Sequence, residues 1–100
     1  MNTFNNYKEQ IITLCKTYRV KNLYVFGSVL TPNFNPKSDI DLIVEFNDFP
    51  LEEYADNYFD FKFSLQDILN RPIDLLEEKA IKNPYFRKNI EHKKQLVYGQ

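Results

Sequence analysis

A glycine–serine pair and an aspartate–x–aspartate motif, separated by ten residues, limit the possible folds of this sequence more than any other feature. Gly27-Ser28 follows a compact β-prone run at residues 23–26, and Asp39 and Asp41 stand at the start of a second apolar run, at residues 40–46. Short β-prone runs bounded by turn residues are typical of strands. The motifs therefore predict a buried strand, a sharp turn, a loop and a second strand that begins beside the two aspartates.

Apolar residues at steps of three and four predict two amphipathic helices. The first helix has Asn2 or Thr3 as its cap, and its apolar stripe comprises Phe4, Tyr7, Ile11, Leu14, Cys15 and Tyr18. The second helix is expected to run for about five turns. Its stripe comprises Leu51, Tyr54, Ala55, Tyr58, Phe61, Leu65, Ile68 and Leu69.

The remainder of the chain predicts a third strand and a third helix. The segment Asn70-Arg71-Pro72 ends the second helix, and residues 73–76 form a short strand. Asn83 is the expected cap of the last helix, with Pro84 in its first turn, where the missing N–H group of proline removes no helical hydrogen bond. Residues 95–98 fit either an edge strand or an extension of this helix.

The resulting order of helix, strand, strand, helix, strand and helix predicts an α+β fold. We expect an α/β sandwich in which helices cover one face of a small mixed β-sheet. A chain of 100 residues fits one domain and is too short for two, so residues 1–100 are expected to form a single domain.

The charge pattern argues against a protein that is drawn to nucleic acid or to membranes, because the net charge is only −1. The charges are nevertheless segregated. Eight of the fourteen acidic residues lie within residues 39–60, and six of the thirteen basic residues lie within residues 79–94. Two interpretations stay open: solvated helix faces, or a basic segment placed near a bound nucleotide or an acidic partner.

Single residues add further expectations. Cys15 is the only cysteine, which excludes an internal disulfide, and its helical spacing predicts a buried apolar role rather than a reactive thiol. His92 is the only histidine and lies in a polar run, so we expect it at the surface. There is no signal peptide and no apolar run of the ~20 residues that a membrane span needs, so we expect a cytoplasmic protein.

Three aspartates are the candidate chemical groups. Side chains two apart on a strand point the same way, so Asp39 and Asp41 share a face, and Asp74 joins them if its strand pairs beside theirs. Magnesium suits an all-oxygen site, and three carboxylates can hold two ions ~3.5–4 Å apart for phosphoryl transfer. The turn at Gly27 exposes backbone N–H groups that favour a triphosphate, and Ser28 adds a hydroxyl donor.

This combination resembles the minimal nucleotidyltransferase family, the small relatives of polymerase-β-type nucleotidyltransferases. The likeness comprises Gly27-Ser28, the ten-residue spacing, Asp39-Ile40-Asp41, the segment 71–76 and the final segment 96–99, so it spans nearly the whole chain. It implies a nucleotidyltransferase-like fold, with ATP as the nucleotide donor and two Mg²⁺ ions. By this resemblance, the catalytic acids and metal ligands are Asp39, Asp41 and Asp74, and the triphosphate is held by Gly27 and Ser28.

The resemblance also implies a biological role. Similar proteins are antitoxins of HEPN/MNT toxin–antitoxin systems, which transfer AMP from ATP to a tyrosine of a cognate HEPN ribonuclease toxin and so inactivate it. A homodimer and a hetero-oligomer with the toxin both stay open as assemblies, because the sequence does not reveal the oligomeric state.

One departure from the family pattern keeps other functions open. The family usually shows Gly-Ser-x-Ala-Arg-Gly, whereas residues 29–32 of this chain contain neither arginine nor glycine. Lys37 or the basic C-terminal segment is a possible substitute for the missing cation. One alternative is a catalytically weak or inactive module that neutralises its partner by steric contact. A transferase acting on RNA or a small molecule is another, although the weak charge counts against nucleic acid.

Phe59 and Phe63 lie one turn apart and off the main apolar stripe of the second helix. We expect them to pack against another helix of the same domain. A contact with a second copy or with the toxin is the alternative, because exposed apolar patches often mark interfaces.

Overall fold

The computed structural model describes residues 7–26 and 40–99. Within them, the chain forms three α-helices and four strands. In chain order these are α1 (Lys8–Thr17), β1 (Val20–Phe26), β2 (Ile40–Phe46), α2 (Tyr54–Leu69), β3 (Ile73–Glu77), α3 (Pro84–Lys93) and β4 (Gln95–Tyr98). Short 3₁₀ turns at Leu51–Glu53 and Glu78–Ala80 precede α2 and follow β3. The predicted α+β fold is confirmed.

The strands form one mixed sheet in the order β3-β2-β1-β4. β1 is antiparallel to both β2 and β4, whereas β2 and β3 are parallel. The sheet decides the open question at residues 95–98, which form an edge strand along β1 rather than an extension of α3.

The main core lies between one face of this sheet and the helices α1 and α2. Every second residue of β2, beginning at Ile40, is buried in this core, as strand alternation requires. From α2, Phe61 and Leu65 are fully buried, and each such side chain contributes about 1.5–3 kcal/mol by leaving water. Cys15 of α1 is also fully buried here, so its expected apolar role is confirmed.

The opposite face of the sheet carries a smaller apolar cluster. Ile43 of β2 packs there with Ile81 and with Ile90 of α3, and Tyr24 and Phe26 of β1 lie against the same cluster. Helices therefore contact both faces, and the expectation that they cover only one face was wrong for α3. The reason is that β2 is apolar on both sides at its centre, so Ile43 also needs a covering element.

Local sequence signals set the ends of the helices. Asn70 adopts a left-handed conformation (φ 55°) and ends α2, as the Asn70-Arg71-Pro72 segment predicts. The Asn83 side chain caps α3 by accepting hydrogen bonds from the backbone N–H groups of Tyr85 (2.9 Å) and Phe86 (3.1 Å). The proposed caps of the first helix, Asn2 and Thr3, and its first stripe residue, Phe4, lie outside the described residues.

Surface positions resolve two further expectations. His92 is exposed in the last turn of α3, as expected. Phe59 and Phe63 stack on each other with ring centroids 6.0 Å apart and remain 48% and 52% exposed. The expectation that they pack against another helix was therefore wrong, because their stripe on α2 faces away from the sheet. None of the helices that the structure describes is both long enough and apolar enough to span a bilayer.

Candidate active site

The sheet brings two of the three predicted acids together. Asp41 and Asp74 are the second residues of the parallel strands β2 and β3, and they are direct partners in the register. Neighbouring strands are about 4.8 Å apart, and partnered residues project from the same face. Asp41 is half-buried and Asp74 is exposed, so neither carboxylate is lost in the apolar interior.

Several contacts hold this register. The backbone N–H of Ile40 donates to the carbonyl of Pro72 (3.1 Å), immediately before the acids. The hydroxyl of Tyr58 donates to the carbonyl of Leu75, which ties β3 to α2. A shift of one residue would turn the buried neighbour Ile73 outward and Asp74 into the core, so burial of the apolar positions also fixes the acidic pair.

The other predicted site residues lie outside the described residues. They are Asp39, Gly27 and Ser28. In the sequence, Asp39 immediately precedes β2, and Gly27 immediately follows Phe26, the antiparallel partner of Asp41. Their roles as metal ligand and triphosphate-binding residues stay predictions.

The chemistry of the acidic pair fits a hard cation. Asp41 and Asp74 offer carboxylate oxygens, the donors that Mg²⁺ prefers. Within residues 7–26 and 40–99, no group of three or more acidic, histidine or cysteine side chains is placed to hold a metal ion. Asp39, which the sequence predicts as the third carboxylate, lies outside the described residues.

An aromatic surface borders the acidic pair. Phe26 lies beside Asp41 across the antiparallel pairing, and its ring meets that of Phe86 of α3 edge-on at 6.0 Å. Further along β1, the ammonium of Lys94 lies 4.1 Å from the ring centroid of Tyr24. Alternation along β1 indicates from sequence that Tyr24 and Phe26 share a face, but the contact with Phe86 depends on where α3 lies and had no sequence signal.

The basic residues near α3 differ in their contacts. Arg87 pairs with Glu78 (2.6 Å) and also donates to the carbonyls of Glu78 and Ile81, so it holds the segment between β3 and α3. In contrast, Lys82 and Lys88 are exposed. Because α3 covers the sheet face that carries Asp41, part of the segregated basic charge lies on that side of the sheet.

Two tyrosines of α2 support β3 from the other face. The hydroxyl of Tyr54 donates to the Glu77 carboxylate, and burial, followed by this hydrogen bond, raises the pKa of Tyr54 above its usual range. Burial also raises the pKa of Tyr58, with smaller contributions from the negative charges of Asp74 and Glu77. Both hydroxyls therefore remain protonated donors at neutral pH. The apolar periodicity of α2 predicts that both tyrosines belong to its stripe, but it does not predict these polar contacts.

Comparison with known families identifies this architecture. Residues 8–97 match the nucleotidyltransferase domain family. The chain belongs to this family. The matched residues include β2 and β3, and therefore Asp41 and Asp74.

Individual relatives agree with this assignment. A Methanocaldococcus jannaschii protein named as a putative protein adenylyltransferase is 40% identical over 85 residues, which cover 85% of this chain and 82% of that protein. The solved structure of a protein named as a putative minimal nucleotidyltransferase superposes with a TM-score of 0.76 at 23% identity, covering 94% of this chain and 92% of that chain. The expected nucleotidyltransferase-like fold is confirmed.

A toxin–antitoxin complex provides another structural neighbour. It contains a tri-AMPylated HEPN toxin of Shewanella oneidensis bound to an MNT antitoxin, and it superposes with a TM-score of 0.65 at 17% identity. The alignment covers 96% of this chain and 72% of that chain. At this identity the likeness demonstrates a shared fold.

Proposed function

We propose that this nucleotidyltransferase is a Mg²⁺-dependent protein adenylyltransferase that transfers AMP from ATP to a tyrosine of a HEPN ribonuclease toxin and acts as its cytoplasmic antitoxin. The observation that carries the proposal is the alignment of Asp41 with Asp74 on adjacent parallel strands. Two comparisons support the acceptor class: the name of the Methanocaldococcus relative and the AMPylated toxin in the Shewanella complex.

The chain's own residues have separate roles in this proposal. Asp39, Asp41 and Asp74 would hold Mg²⁺, which neutralises charge on the ATP phosphates when it is bound. Asp74, the more exposed partner of the aligned pair, accepts the proton of the attacking tyrosine hydroxyl. The tyrosine oxygen bonds to the α-phosphorus, the bond to the bridging oxygen breaks, and diphosphate leaves. In this scheme, backbone N–H groups at Gly27-Ser28 bind the triphosphate.

The test measures AMP transfer by substituted variants. The HEPN proteins encoded in the same genome are purified separately and incubated with the chain, Mg²⁺ and ATP labelled at the α-phosphate. Because the acids act on the reacting groups, Asp41→Asn and Asp74→Asn should each reduce label transfer by at least about 100-fold. The matched control is Glu45→Gln, which removes a carboxylate from the same face of β2 as Asp41. In the wild type the Glu45 carboxylate accepts a hydrogen bond from the side-chain amide of Asn22 (2.9 Å). The Glu45→Gln variant should retain AMP transfer.

Circular dichroism spectra of the variants establish that each remains folded. Full transfer by both aspartate variants would refute the assignment of the acidic pair. Chelation of Mg²⁺ by EDTA should likewise abolish transfer, and transfer that continues in EDTA would contradict the metal requirement.

One observation favours a second candidate function, a module that neutralises its partner by steric contact without catalysis. Residues 29–32 lack the arginine and glycine that usually follow Gly-Ser in the family. This candidate requires that the chain inhibit the toxin ribonuclease in the absence of ATP. It also requires that Asp41→Asn and Asp74→Asn inhibit the toxin to the same extent as the wild type. A ribonuclease assay with and without ATP separates the two functions.

A further inference from the structure

Tyr85 differs from the other tyrosines of the chain in its exposure. It is 85% exposed, whereas the other six tyrosines are all partly buried. The hydroxyls of Tyr54 and Tyr58 are in addition engaged as hydrogen-bond donors. A phenol can react with a nucleotide only if it is accessible to it. Because Tyr85 is the most exposed tyrosine of this chain, it is the most accessible tyrosine nucleophile.

The position of Tyr85 relates it to the candidate active site. It lies in the first turn of α3, the helix over the sheet face that carries Asp41 and Asp74. The adjacent residue Phe86 contacts Phe26 edge-on, and Phe26 is the register partner of Asp41. Phe26 therefore adjoins both the first turn of α3, through Phe86, and Asp41, through the strand pairing.

The charge around Tyr85 suits a nucleotide triphosphate. Lys88 lies three residues further along α3, a spacing that places two side chains on neighbouring positions of a helix surface. Lys82 lies just before the helix, and both lysines are exposed. Their positive charge attracts polyanions to the surface that presents the phenol.

We propose that Tyr85 is a self-modification site, to which the chain transfers AMP from ATP. This inference rests on the proposed function, because it uses the same acids and the same donor. The Tyr85 oxygen forms a bond to the α-phosphorus, and the bond from that phosphorus to the oxygen bridging to the β-phosphate breaks. Diphosphate leaves with the electron pair, and the phenol proton passes to Asp74 and then to water. The product is a negatively charged phosphodiester beside Lys82 and Lys88.

The experiment uses the full chain with Mg²⁺ and ATP, without any partner protein. Intact-protein mass spectrometry should show one adenylyl adduct, and peptide mapping should place it on Tyr85. Tyr85→Phe should lose the adduct while still labelling the HEPN partner. The matched control Tyr98→Phe, which alters a partly buried tyrosine of β4, should keep the adduct.

Mixing two variants distinguishes transfer within one molecule from transfer between molecules. Asp41→Asn lacks one of the proposed catalytic acids but retains Tyr85, whereas Tyr85→Phe retains the acids but lacks the acceptor. An adduct on Asp41→Asn in this mixture supports transfer between molecules. An adduct that forms in the wild type at a rate independent of protein concentration supports transfer within one molecule.

The outcomes separate this inference from the proposed function. If the wild type labels a HEPN partner but carries no adduct, or carries it at another residue, self-modification at Tyr85 is wrong and the proposed function stands. If neither the chain nor any HEPN partner is labelled, both the proposed function and this inference are overturned.

Discussion

Burial of Cys15 predicts a specific loss of stability at alkaline pH. The thiol is completely inaccessible in the main core, and burial raises its pKa from 9.0 to about 12. In the unfolded chain the thiol ionises above its ordinary pKa, whereas the folded chain keeps it neutral. The contribution of the neutral thiol to stability is therefore fully present below about pH 9 and is lost as pH rises toward the folded-state pKa.

The magnitude follows from the shift. Each pH unit between the two pKa values removes about 1.4 kcal/mol from the free energy of unfolding, so raising the pH from about 9 to about 10.5 removes about 2 kcal/mol through this residue alone. Removing the thiol in Cys15→Ala should cost about 1 kcal/mol at neutral pH because the core loses the sulfur atom. Between about pH 9 and about pH 10.5, however, the free energy of unfolding of Cys15→Ala should fall by about 2 kcal/mol less than that of the wild type.

The assay is urea unfolding followed by circular dichroism at several pH values for both proteins. Tyr54 and Tyr58, whose pKa values are also raised, titrate in both chains, so the difference between wild type and Cys15→Ala isolates the cysteine. Parallel loss of stability in the two proteins over this interval would refute the reasoning.

Two further predictions concern α2 and α3. Phe61→Ala should destabilise the fold by about 3–5 kcal/mol because it empties a fully buried position, whereas the matched Phe63→Ala, at a 52% exposed position, should cost less than about 1 kcal/mol. Urea unfolding measures both, and equal effects would contradict the assignment of the two helix faces. Asn83→Ala should cost about 1 kcal/mol by removing the cap of α3, and Asn83→Asp should restore it. Amide hydrogen exchange of Tyr85 and Phe86 should accelerate in the alanine variant, and unchanged exchange would exclude a capping role.

Much of the local structure could be predicted from sequence because short-range chemistry determines it. The apolar run at residues 40–46 predicts β2, and the Asn83-Pro84 pair predicts the start of α3. The same local signals place Asp41 and Asp74 near the beginnings of strands. The roles of Asp39 and Gly27-Ser28, which the structure does not describe, remain predictions from the motif.

The tertiary structure decided which segments meet. Residues 95–98 form a strand because the outer edge of β1 offers unpaired backbone groups, and pairing there outweighs continuation of a helix. Periodicity places Phe59 and Phe63 off the apolar stripe of α2, but the tertiary structure decides whether another helix covers them, and it leaves them 48% and 52% exposed. Both outcomes arise from contacts between segments that are distant in sequence, and local periodicity gives no information about such contacts.

For the candidate site, the sequence by itself determined the residue types and their positions along each strand. Only the tertiary structure decided that β2 and β3 are parallel neighbours in the register that aligns Asp41 with Asp74. It also placed α3, with Phe86 and Tyr85, on the face that carries these acids. The physical reason is that alternation within a strand assigns a side chain to a face, whereas burial of the apolar face and pairing with another strand select its neighbours.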